Sequence, residues 1–313
     1  MNKVNLCWVF SDGQKGHEIQ STTLATAVAH KHLVFNFKLK QPWLSFAPRM
    51  FPLFVKGLEW QSDQRPNFNV PADIIITTGR KAAAVGKYIK SMSVHHKPHI
   101  QILNPKDNLQ HYDLVLLPEH DQINGKNVIV FNGSIHPFNA NWFDQHEPSS
   151  PWNKRFLAII LGNPAASYFN NDFAKDIQLI RQHFPDLGLY FCGSPRLNTQ
   201  FQHRIKEQIT TTDKFWFSSE DGANPYQLLL KHAHKLFITA DSINMLSEAA
   251  ASKQAVSILG NNHITSSKHL KFISNNQERF CELPSLDKGV AQPQAIEQIL
   301  NHHLMNRLIS ACS

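Results

Sequence analysis

Short apolar runs alternate with segments of helical length along most of the 313-residue chain. Such alternation is typical of βαβ units, in which helices cover both faces of a parallel sheet. The predicted strands of the first half are 4–10, 33–37, 73–77, 99–103, 114–117 and 128–131, and its helices are 17–31 and 80–91. The second half has predicted strands 156–161, 189–192, 215–218, 236–239 and 256–259, and helices 172–183, 198–208, 225–232, 242–252 and 293–309. The sequence therefore predicts an α/β protein of two Rossmann-like domains in tandem.

A stretch rich in Asn, Pro, Ser, Trp and His separates the two halves between Gly133 and Lys154 and shows no sustained periodicity. We place the linker at 141–154, after an N-terminal domain at 1–140 and before a C-terminal domain at 155–313. The last predicted helix has the option of crossing back to pack on the N-terminal domain.

Composition narrows the class of protein. Hydrophobic residues make up 42% and charged residues 18% of the chain, which excludes disorder as its main state. No run of about 18 apolar residues predicts a membrane span, and the first residues resemble a strand more than a secretory signal, so we expect a cytoplasmic protein.

The four cysteines are far apart, and paired histidines lack the spacing of metal ligands, so we expect no metal site. A net charge of +7 favours anionic partners such as nucleotides or lipid head groups, and we expect no nucleic acid.

Ligands of parallel α/β sheets bind beyond the carboxyl ends of the strands, so the turns after predicted strands are the candidate sites. The first turn, from Ser11 to Glu18, contains Gly13 and Gly16, which allow backbone N–H groups to approach a ligand. It is neither a G-x-G-x-x-G nor a Walker A loop. The alternative is a plain turn capped by Asp12 or Ser11.

Two further turns combine small residues with cations. The turn Thr77-Thr78-Gly79-Arg80-Lys81 ends the strand at 73–77, and its Gly79 and Arg80 suit an anion at a helix N-terminus. The alternative is that Arg80 and Lys81 are two solvated cations at a helix start. Gly193, Ser194 and Arg196 form a similar turn in the second half, with Arg196 as a candidate phosphate ligand.

The most informative stretch is Asn224-Pro225-Tyr226, followed by a strand and then by a helix that begins at Asp241 and Ser242. Glu248 lies two helical turns beyond Asp241 on nearly the same face. The Ser242 hydroxyl and the free amides predict a diphosphate site, and Glu248 predicts an acceptor for ribose hydroxyls. The alternative is a simple helix cap with a solvated Glu248.

Four motifs in this order, S-D-G-x-x-G-H-E-x-Q, T-x-G-R, N-P-Y and T-A-D-S-I-N-M-L-S-E-A-A, resemble the mitochondrial fission ELM (elongated mitochondria) family, which includes bacterial proteins. That family resembles GT-B glycosyltransferases, so the resemblance implies a GT-B arrangement of the two domains. It also implies that Gly13, Gly16 and His17 face an acceptor and that Ser242, Met245 and Glu248 face the nucleotide of a donor. The full set expected to bind the nucleotide-sugar is Gly13, Gly16, Gly79, Arg80, Gly193, Ser194, Arg196, Tyr226, Asp241, Ser242, Met245, Ser247 and Glu248.

The expected function is metal-independent transfer of a sugar from a nucleotide-sugar co-substrate to an anionic or lipid-linked acceptor, in cell-envelope glycolipid synthesis. No D-x-D metal motif is evident, so helix N-termini and Arg196 or Arg80 would neutralise the leaving diphosphate. His17 or Asp12 is the predicted general base, with Asp12 requiring a pKa raised by burial. The alternatives are a nucleotide-sugar epimerase and a non-catalytic adaptor at membranes.

The segment 43–60 is rich in large apolar residues. It predicts an amphipathic helix with Met50, Phe51, Phe54, Val55 and Leu58 on one face. Five cations and two acids surround it between residues 38 and 65, so we expect contact with an anionic membrane, at the inner face of the plasma membrane, or with a lipid acceptor. The alternative is an ordinary core-packing helix.

Overall fold

The computed structural model describes residues 3–61, 65–67, 70, 72–93, 97–145, 149–281, 283, 285 and 287–310. Its strands are β1 (Val4–Ser11), β2 (Ala29–Leu39), β3 (Leu58–Trp60), β4 (Ile74–Thr78), β5 (His99–Ile102), β6 (Leu114–Pro118), β7 (Val128–Phe131), β8 (Phe156–Leu161), β9 (Gly188–Gly193), β10 (Lys214–Trp216), β11 (Lys235–Thr239), β12 (Ala255–Leu259) and β13 (Phe280–Cys281).

The α-helices lie between these strands and after them. They are α1 (Lys15–Val28), α2 (Trp43–Phe46), α3 (Phe54–Gly57), α4 (Gly79–Met92), α5 (Ala140–Gln145), α6 (Ala166–Asn171), α7 (Phe173–His183), α8 (Thr199–Lys206), α9 (Tyr226–His232), α10 (Ile243–Ala250), α11 (Ser267–Asn275), α12 (Ala295–Leu300) and α13 (His303–Ser310). The described part of the chain contains no helix with the length and apolar character needed to cross a membrane.

The first unit holds a seven-stranded sheet in the order β3-β2-β1-β4-β5-β6-β7, in which only β3 is antiparallel to its neighbour. Alternate residues of β1 point to opposite faces: Val9 packs with Leu24 of α1 and Ile299 of α12, whereas Phe10 packs with Val85 of α4. Burial on both faces explains why these strands appear in the sequence as nearly continuous apolar runs.

The second unit holds a six-stranded, fully parallel sheet in the order β10-β9-β8-β11-β12-β13. Ile159 of β8 packs with Ile180 of α7, while Ile160 packs on the other face with Leu246 of α10. The prediction of an α/β protein with two Rossmann-like domains is confirmed, since each unit is a mainly or fully parallel sheet covered by helices on both faces.

The boundaries of the two units differ from the predicted ones. Residues 1–137 and 294–313 form the first unit, and residues 138–293 form the second. The predicted linker at 141–154 overlaps α5, whose Phe143 lies in the core of the second unit. The end of the chain belongs to the first unit because Ile296, Ile299 and Met305 cover a face of its sheet. The observed boundary therefore lies at residue 293 and not at 313, while the predicted option that the last helix packs on the N-terminal domain agrees with the structure.

The segment 43–60 is not one amphipathic helix. It forms the one-turn helices α2 and α3 and then strand β3. Pro48 and Pro52 lie between the two helices, and proline lacks the N–H group that a continuing helix needs. Phe54 is consequently a core residue of the first unit and Leu58 is part of β3, so neither lies on the apolar face expected from helical spacing.

His99 of β5 is completely buried, with Nε2 2.6 Å from the Thr77 hydroxyl, which in turn donates to Gln101 Oε1 at 2.6 Å. Gly86 of α4 leaves room for the imidazole ring, because a Cβ there would lie 2.4 Å from its Cε1. Burial, assisted by the charge of Lys90, lowers the pKa of His99 to about 3.

The unfolded chain binds a proton at this histidine near its ordinary pKa of 6.5, whereas the folded chain stays neutral. Stability that is fully present above pH 6.5 should therefore be lost as the pH falls, by about 2 kcal/mol at pH 5. Urea unfolding at pH 7 and pH 5 checks this, with His99→Gln expected to lose less stability on acidification than wild type. The exposed His30→Gln serves as control, and equal acid-induced losses in wild type and His99→Gln would contradict the expectation.

Candidate functional site

Each sheet has a point at which the order of its strands reverses. In the first unit it lies between β1 and β4, and in the second between β8 and β11. The crevice beyond the carboxyl ends of such a strand pair is the usual ligand site of open α/β sheets. The turns predicted from the sequence at 11–18 and 77–81 and the helix start predicted at Asp241 and Ser242 lie at these strand ends.

In the first unit, Asp12 follows β1 and lies between His17 and Lys81. Its Oδ1 is 3.1 Å from Nδ1 of His17, and its Oδ2 is 3.5 Å from Nζ of Lys81 in α4. The Asp12 side chain is 3% exposed, whereas that of His17 is 22% exposed. Burial by itself raises the pKa of Asp12, but the hydrogen bond and charge of His17, the Gln14 amide and the charge of Lys81 lower it below its ordinary value.

Asp12 therefore lacks the raised pKa that it would need as the general base, because the hydrogen bonds and charges of its neighbours outweigh its burial. An ionised Asp12 beside His17 requires the proton of a neutral imidazole to be on Nδ1, which leaves the Nε2 lone pair to accept a proton. The two predicted bases thus differ in capacity: His17 can accept a proton from a ligand, and Asp12 orients His17 and stabilises its charged form.

Gly79 begins α4 with a left-handed φ of +77° and lies against the His17 ring. A Cβ at this position would be 2.7 Å from His17 Cε1, so the glycine makes space for the imidazole. Gly13 also has a left-handed φ, +78°, but with open space around it. Gly16 lies in the first turn of α1, and Arg80 is exposed in the first turn of α4.

In the second unit, the turns after β8, β9 and β11 converge. The Asn163 N–H donates to Asp241 Oδ2 at 2.7 Å, and the Ser194 hydroxyl donates to the Gly162 carbonyl at 3.0 Å. A Cβ at Gly162 would lie 2.2 Å from Asp241 Oδ2, so only glycine allows this approach. Asp241 Oδ1 is buried and has no hydrogen-bond partner among the described residues.

Gly193 and Arg196, on either side of Ser194, differ in their surroundings. Gly193 ends β9 and lies against Leu197 and Phe217, so its lack of a side chain serves packing. Arg196 is exposed, and its N–H lies 3.3 Å from the Ser194 hydroxyl, which accepts it.

The start of α10 follows the pattern that the sequence predicted. Ser242 is its N-cap, with its hydroxyl accepting from the Met245 N–H at 3.5 Å. Met245 and Ser247 are buried, and Met245 belongs to the hydrophobic core of the second unit.

Glu248 is 7% exposed and receives a hydrogen bond from the Tyr226 hydroxyl at Oε2. The N-P-Y motif and the α10 motif are thereby joined, and the alternative of a solvated Glu248 was wrong. Burial raises the pKa of Glu248 to about 7, and the bond from Tyr226 opposes that rise. The Tyr226 N–H is held in turn by Asn224 Oδ1 at 2.9 Å.

Sequence reasoning missed His269 of α11. Its Nε2 lies 3.1 Å from the Asp241 carbonyl and its Nδ1 lies 2.8 Å from the Ser266 hydroxyl. No local motif distinguishes it from the other histidines, of which the chain has 18 in total. Asn163 was missed too, although its position directly after β8 was a usable signal.

A cavity of about 400 Å³ lies elsewhere in the second unit, beside α7 and the turn after β12. Its Tyr168 hydroxyl donates to Asp176 at 2.8 Å, and Nε2 of its His263 is 2.8 Å from Asp172 Oδ2. These polar groups satisfy one another, and none of the predicted site residues is among the described residues that line it. Across the described ranges, no three His, Cys, Asp or Glu side chains are grouped as a metal ion requires.

Two relatives match much of this chain. The uncharacterized protein RP120 of Rickettsia prowazekii (strain Madrid E) is 26% identical over 317 residues, which cover 87% of this chain and 88% of that protein. The mitochondrial fission protein ELM1 of Arabidopsis thaliana is 21% identical over 227 residues, covering 61% of this chain. The chain spans about half of that plant protein, 52% of its length.

Two solved structures share the fold. A putative UDP-N-acetylglucosamine 2-epimerase from Listeria monocytogenes has a TM-score of 0.53 at 11% identity, covering 99% of this chain and 91% of its own. S. aureus MnaA, in a co-structure with UDP, has a TM-score of 0.51 at 10% identity and 97% coverage of both chains. At such identities the likeness shows the fold alone: two Rossmann-like domains of the GT-B class.

The family model described as mitochondrial fission ELM1 matches residues 15–282, which is most of the chain. The matched range contains His17, the T-x-G-R turn, the N-P-Y motif and the α10 motif, so the resemblance inferred from those motifs is confirmed. The chain belongs to the mitochondrial fission ELM1 family, built on a GT-B-like fold.

Proposed function

We propose that this protein is a glycosyltransferase that moves a sugar from a nucleotide-sugar to a hydroxyl group of an anionic or lipid-linked acceptor, as in cell-envelope glycolipid synthesis. The observation that carries the proposal is the pair formed by Asp12 and His17 at the strand-order reversal of the first unit. An imidazole with a carboxylate at Nδ1 and a free lone pair at Nε2 is the arrangement a hydroxyl nucleophile needs.

In the proposed reaction, Nε2 of His17 accepts the proton of the acceptor hydroxyl as its oxygen bonds to the anomeric carbon of the donor. The bond between that carbon and the diphosphate oxygen breaks, and the nucleoside diphosphate leaves with the bonding electrons. Asp12 stabilises the imidazolium that forms. The gain from such a positioned base is about 10²- to 10⁴-fold in rate.

The second unit supplies the donor site in this proposal. Ser242 and the first N–H groups of α10 take the diphosphate, Arg196 adds positive charge, and Glu248 accepts hydrogen bonds from the ribose. The buried, unpartnered Oδ1 of Asp241 is ill suited to a phosphate oxygen, because both carry negative charge. We assign Asp241 instead to hydroxyl groups of the sugar, which donate hydrogen bonds.

A thermal-shift titration with UDP and UDP-N-acetylglucosamine tests the proposal first, since a ligand at 100 times its Kd adds about 2.7 kcal/mol of stability. UDP is the first nucleotide to use because MnaA was solved with it. Radiolabelled donor with a lipid extract then separates the activities. A transferase releases UDP and labels the lipid, whereas an epimerase changes the sugar while it remains nucleotide-linked. Absence of any nucleotide binding would contradict both activities and favour an adaptor.

Glu248 should contribute to nucleotide affinity in a pH-dependent way. Replacing it with Ala is expected to cost about 1.5 to 3 kcal/mol of binding, the range for a hydrogen bond to a charged group. Because its pKa is about 7, the ionised form, which accepts hydrogen bonds from both ribose hydroxyls, becomes dominant only above neutral pH. Wild-type affinity should therefore rise between pH 6 and pH 8.

Calorimetric titration of UDP at pH 6, 7 and 8 measures this for wild type, Glu248→Ala and Glu248→Gln. The rise should be reduced in Glu248→Gln and retained in the exposed control Glu207→Gln, since ionisation of the nucleotide itself affects all proteins equally. Unchanged affinity in a folded Glu248→Ala protein would remove Glu248 from the nucleotide site.

A further inference from the structure

Large apolar side chains are unusually exposed in one short stretch of the first unit. Four of them lie within ten residues: Phe46 (46% exposed), Met50 (48%), Leu53 (64%) and Val55 (58%). The other exposed large hydrophobics of the described chain are scattered, namely Val70, Met92, Val130, Leu270 and Val290. We refer to the four clustered side chains as the 46–55 surface. A cluster of this kind marks an interaction site more often than single exposed residues do.

The 46–55 surface is held by packing underneath it. Phe46 stacks on Phe51 with ring centroids 4.3 Å apart, and Trp43 Nε1 donates to the Pro52 carbonyl at 3.0 Å. Phe54, between the exposed Leu53 and Val55, is buried in the core against Tyr88. The apolar side chains are therefore presented by a packed loop.

Leu53 adds a second observation. Its φ of +57° is left-handed, a conformation that is rare for a bulky side chain. The Leu53 side chain is nevertheless exposed to solvent. Packing of this side chain within the protein therefore does not explain its left-handed backbone. Backbone strain of this kind is often found at binding surfaces.

The charge around the 46–55 surface is positive. Lys38, Lys40, Arg49 and Lys56 are exposed, and Glu59 is the only acid between residues 38 and 60. That acid lies 3.6 Å from Lys40, so cations dominate the rim. Apolar side chains surrounded by cations fit the acyl region and the anionic head groups of a bilayer.

We propose that the 46–55 surface binds anionic lipid bilayers. The surface follows β2, and the Asp12–His17 pair follows β1, its parallel neighbour, so both lie at the same edge of this sheet. A lipid-linked acceptor anchored in that bilayer would present its hydroxyl on the side of the proposed base. This last step rests on the proposed function, whereas bilayer binding itself does not.

Flotation with vesicles tests the binding without any activity assay. Wild type is mixed with phosphatidylcholine vesicles and with vesicles containing 30% phosphatidylglycerol, and it should bind the latter more tightly. Arg49→Gln/Lys56→Gln should lower that partition coefficient by roughly 25-fold, at about fivefold for each cation. Met50→Ser/Leu53→Asn should lower it about tenfold or more. Leu270→Ser/Val290→Ser, which removes exposed apolar side chains elsewhere, should leave it unchanged.

The Leu53→Asn change also separates loss of binding from loss of folding. Asparagine tolerates the left-handed conformation better than leucine, so the Met50→Ser/Leu53→Asn protein should unfold at the same temperature as wild type or higher. Equal partitioning of this variant and wild type would overturn the proposal. A second result would also overturn it: the wild-type protein does not bind vesicles, and sedimentation shows a wild-type dimer that is absent in Met50→Ser/Leu53→Asn. The surface would then bind a second copy of this chain. If the wild-type protein bound anionic vesicles but transferred no sugar, that result would count against the proposed function only.

Discussion

Replacing His17 with Ala is expected to lower kcat for sugar transfer by about 10²- to 10⁴-fold at saturating donor and acceptor. The imidazole is the proton acceptor: Asp12 holds its Nδ1–H, and Nε2 is the nitrogen that takes the proton. No other described side chain at this turn has this arrangement. Asp12→Asn should also lower kcat, because an amide no longer stabilises the imidazolium and can favour the wrong tautomer. The loss should be in kcat, since a proton acceptor acts mainly in the transition state.

The measurement is turnover with both substrates saturating, with the exposed His30→Ala as control in the same unit. If both His17→Ala and Asp12→Asn kept turnover near that of wild type, the base would lie elsewhere, whatever happened to KM. A change in KM alone would indicate that the pair orders the turn for acceptor binding.

Arg279→Met is expected to reduce the free energy of unfolding by about 3 to 5 kcal/mol. Arg279 is completely buried, and its Nε donates to the Ala250 carbonyl at 2.6 Å, at the end of α10. Its Nη2 lies 2.9 Å from the Ser252 carbonyl and 2.7 Å from the Gln254 carbonyl. Burial lowers the pKa of Arg279 to about 10, so the guanidinium is still charged at neutral pH.

This loss of stability is expected because the last carbonyl groups of a helix have no hydrogen-bond partners within the helix and form the negative end of its dipole. Methionine retains an apolar stem and removes every donor, so several buried carbonyls would lose their partner together. Chemical denaturation compares this variant with Arg204→Met, which removes an exposed arginine of α8 and should change stability by under about 0.5 kcal/mol. A loss no greater than that of the control would show that water replaces Arg279 at the end of α10.

Sequence patterns located the main strands well. The predicted strand at 156–161 coincides with β8, and those at 4–10 and 236–239 match β1 and β11 to within one residue. Buried parallel strands appear as short apolar runs, and their length separates them from the longer helices. The start of α10 at Ser242 was also predictable, since a capping hydroxyl acts on its own local backbone.

Where burial depended on distant partners, the sequence predictions failed. The stretch at 43–60 has helical spacing, but prolines interrupt it and the core of the first unit takes up Phe54. The C-terminal helix α12 has an amphipathic pattern that does not indicate which sheet it covers. The linker prediction missed α5 because six residues are too few to show a period.

The amino-acid sequence by itself determined the two sheets, the turns that end their strands and the family. Tertiary structure decided which side chains of those turns meet: Asp12 with Lys81, Asn163 with Asp241, and Tyr226 with Glu248. These pairs also decide the chemistry, because the pKa of Asp12 falls beside His17 and Lys81 while that of Glu248 rises through burial. Local patterns record the periodicity of one segment, whereas charge and desolvation depend on neighbours that only the folded chain supplies.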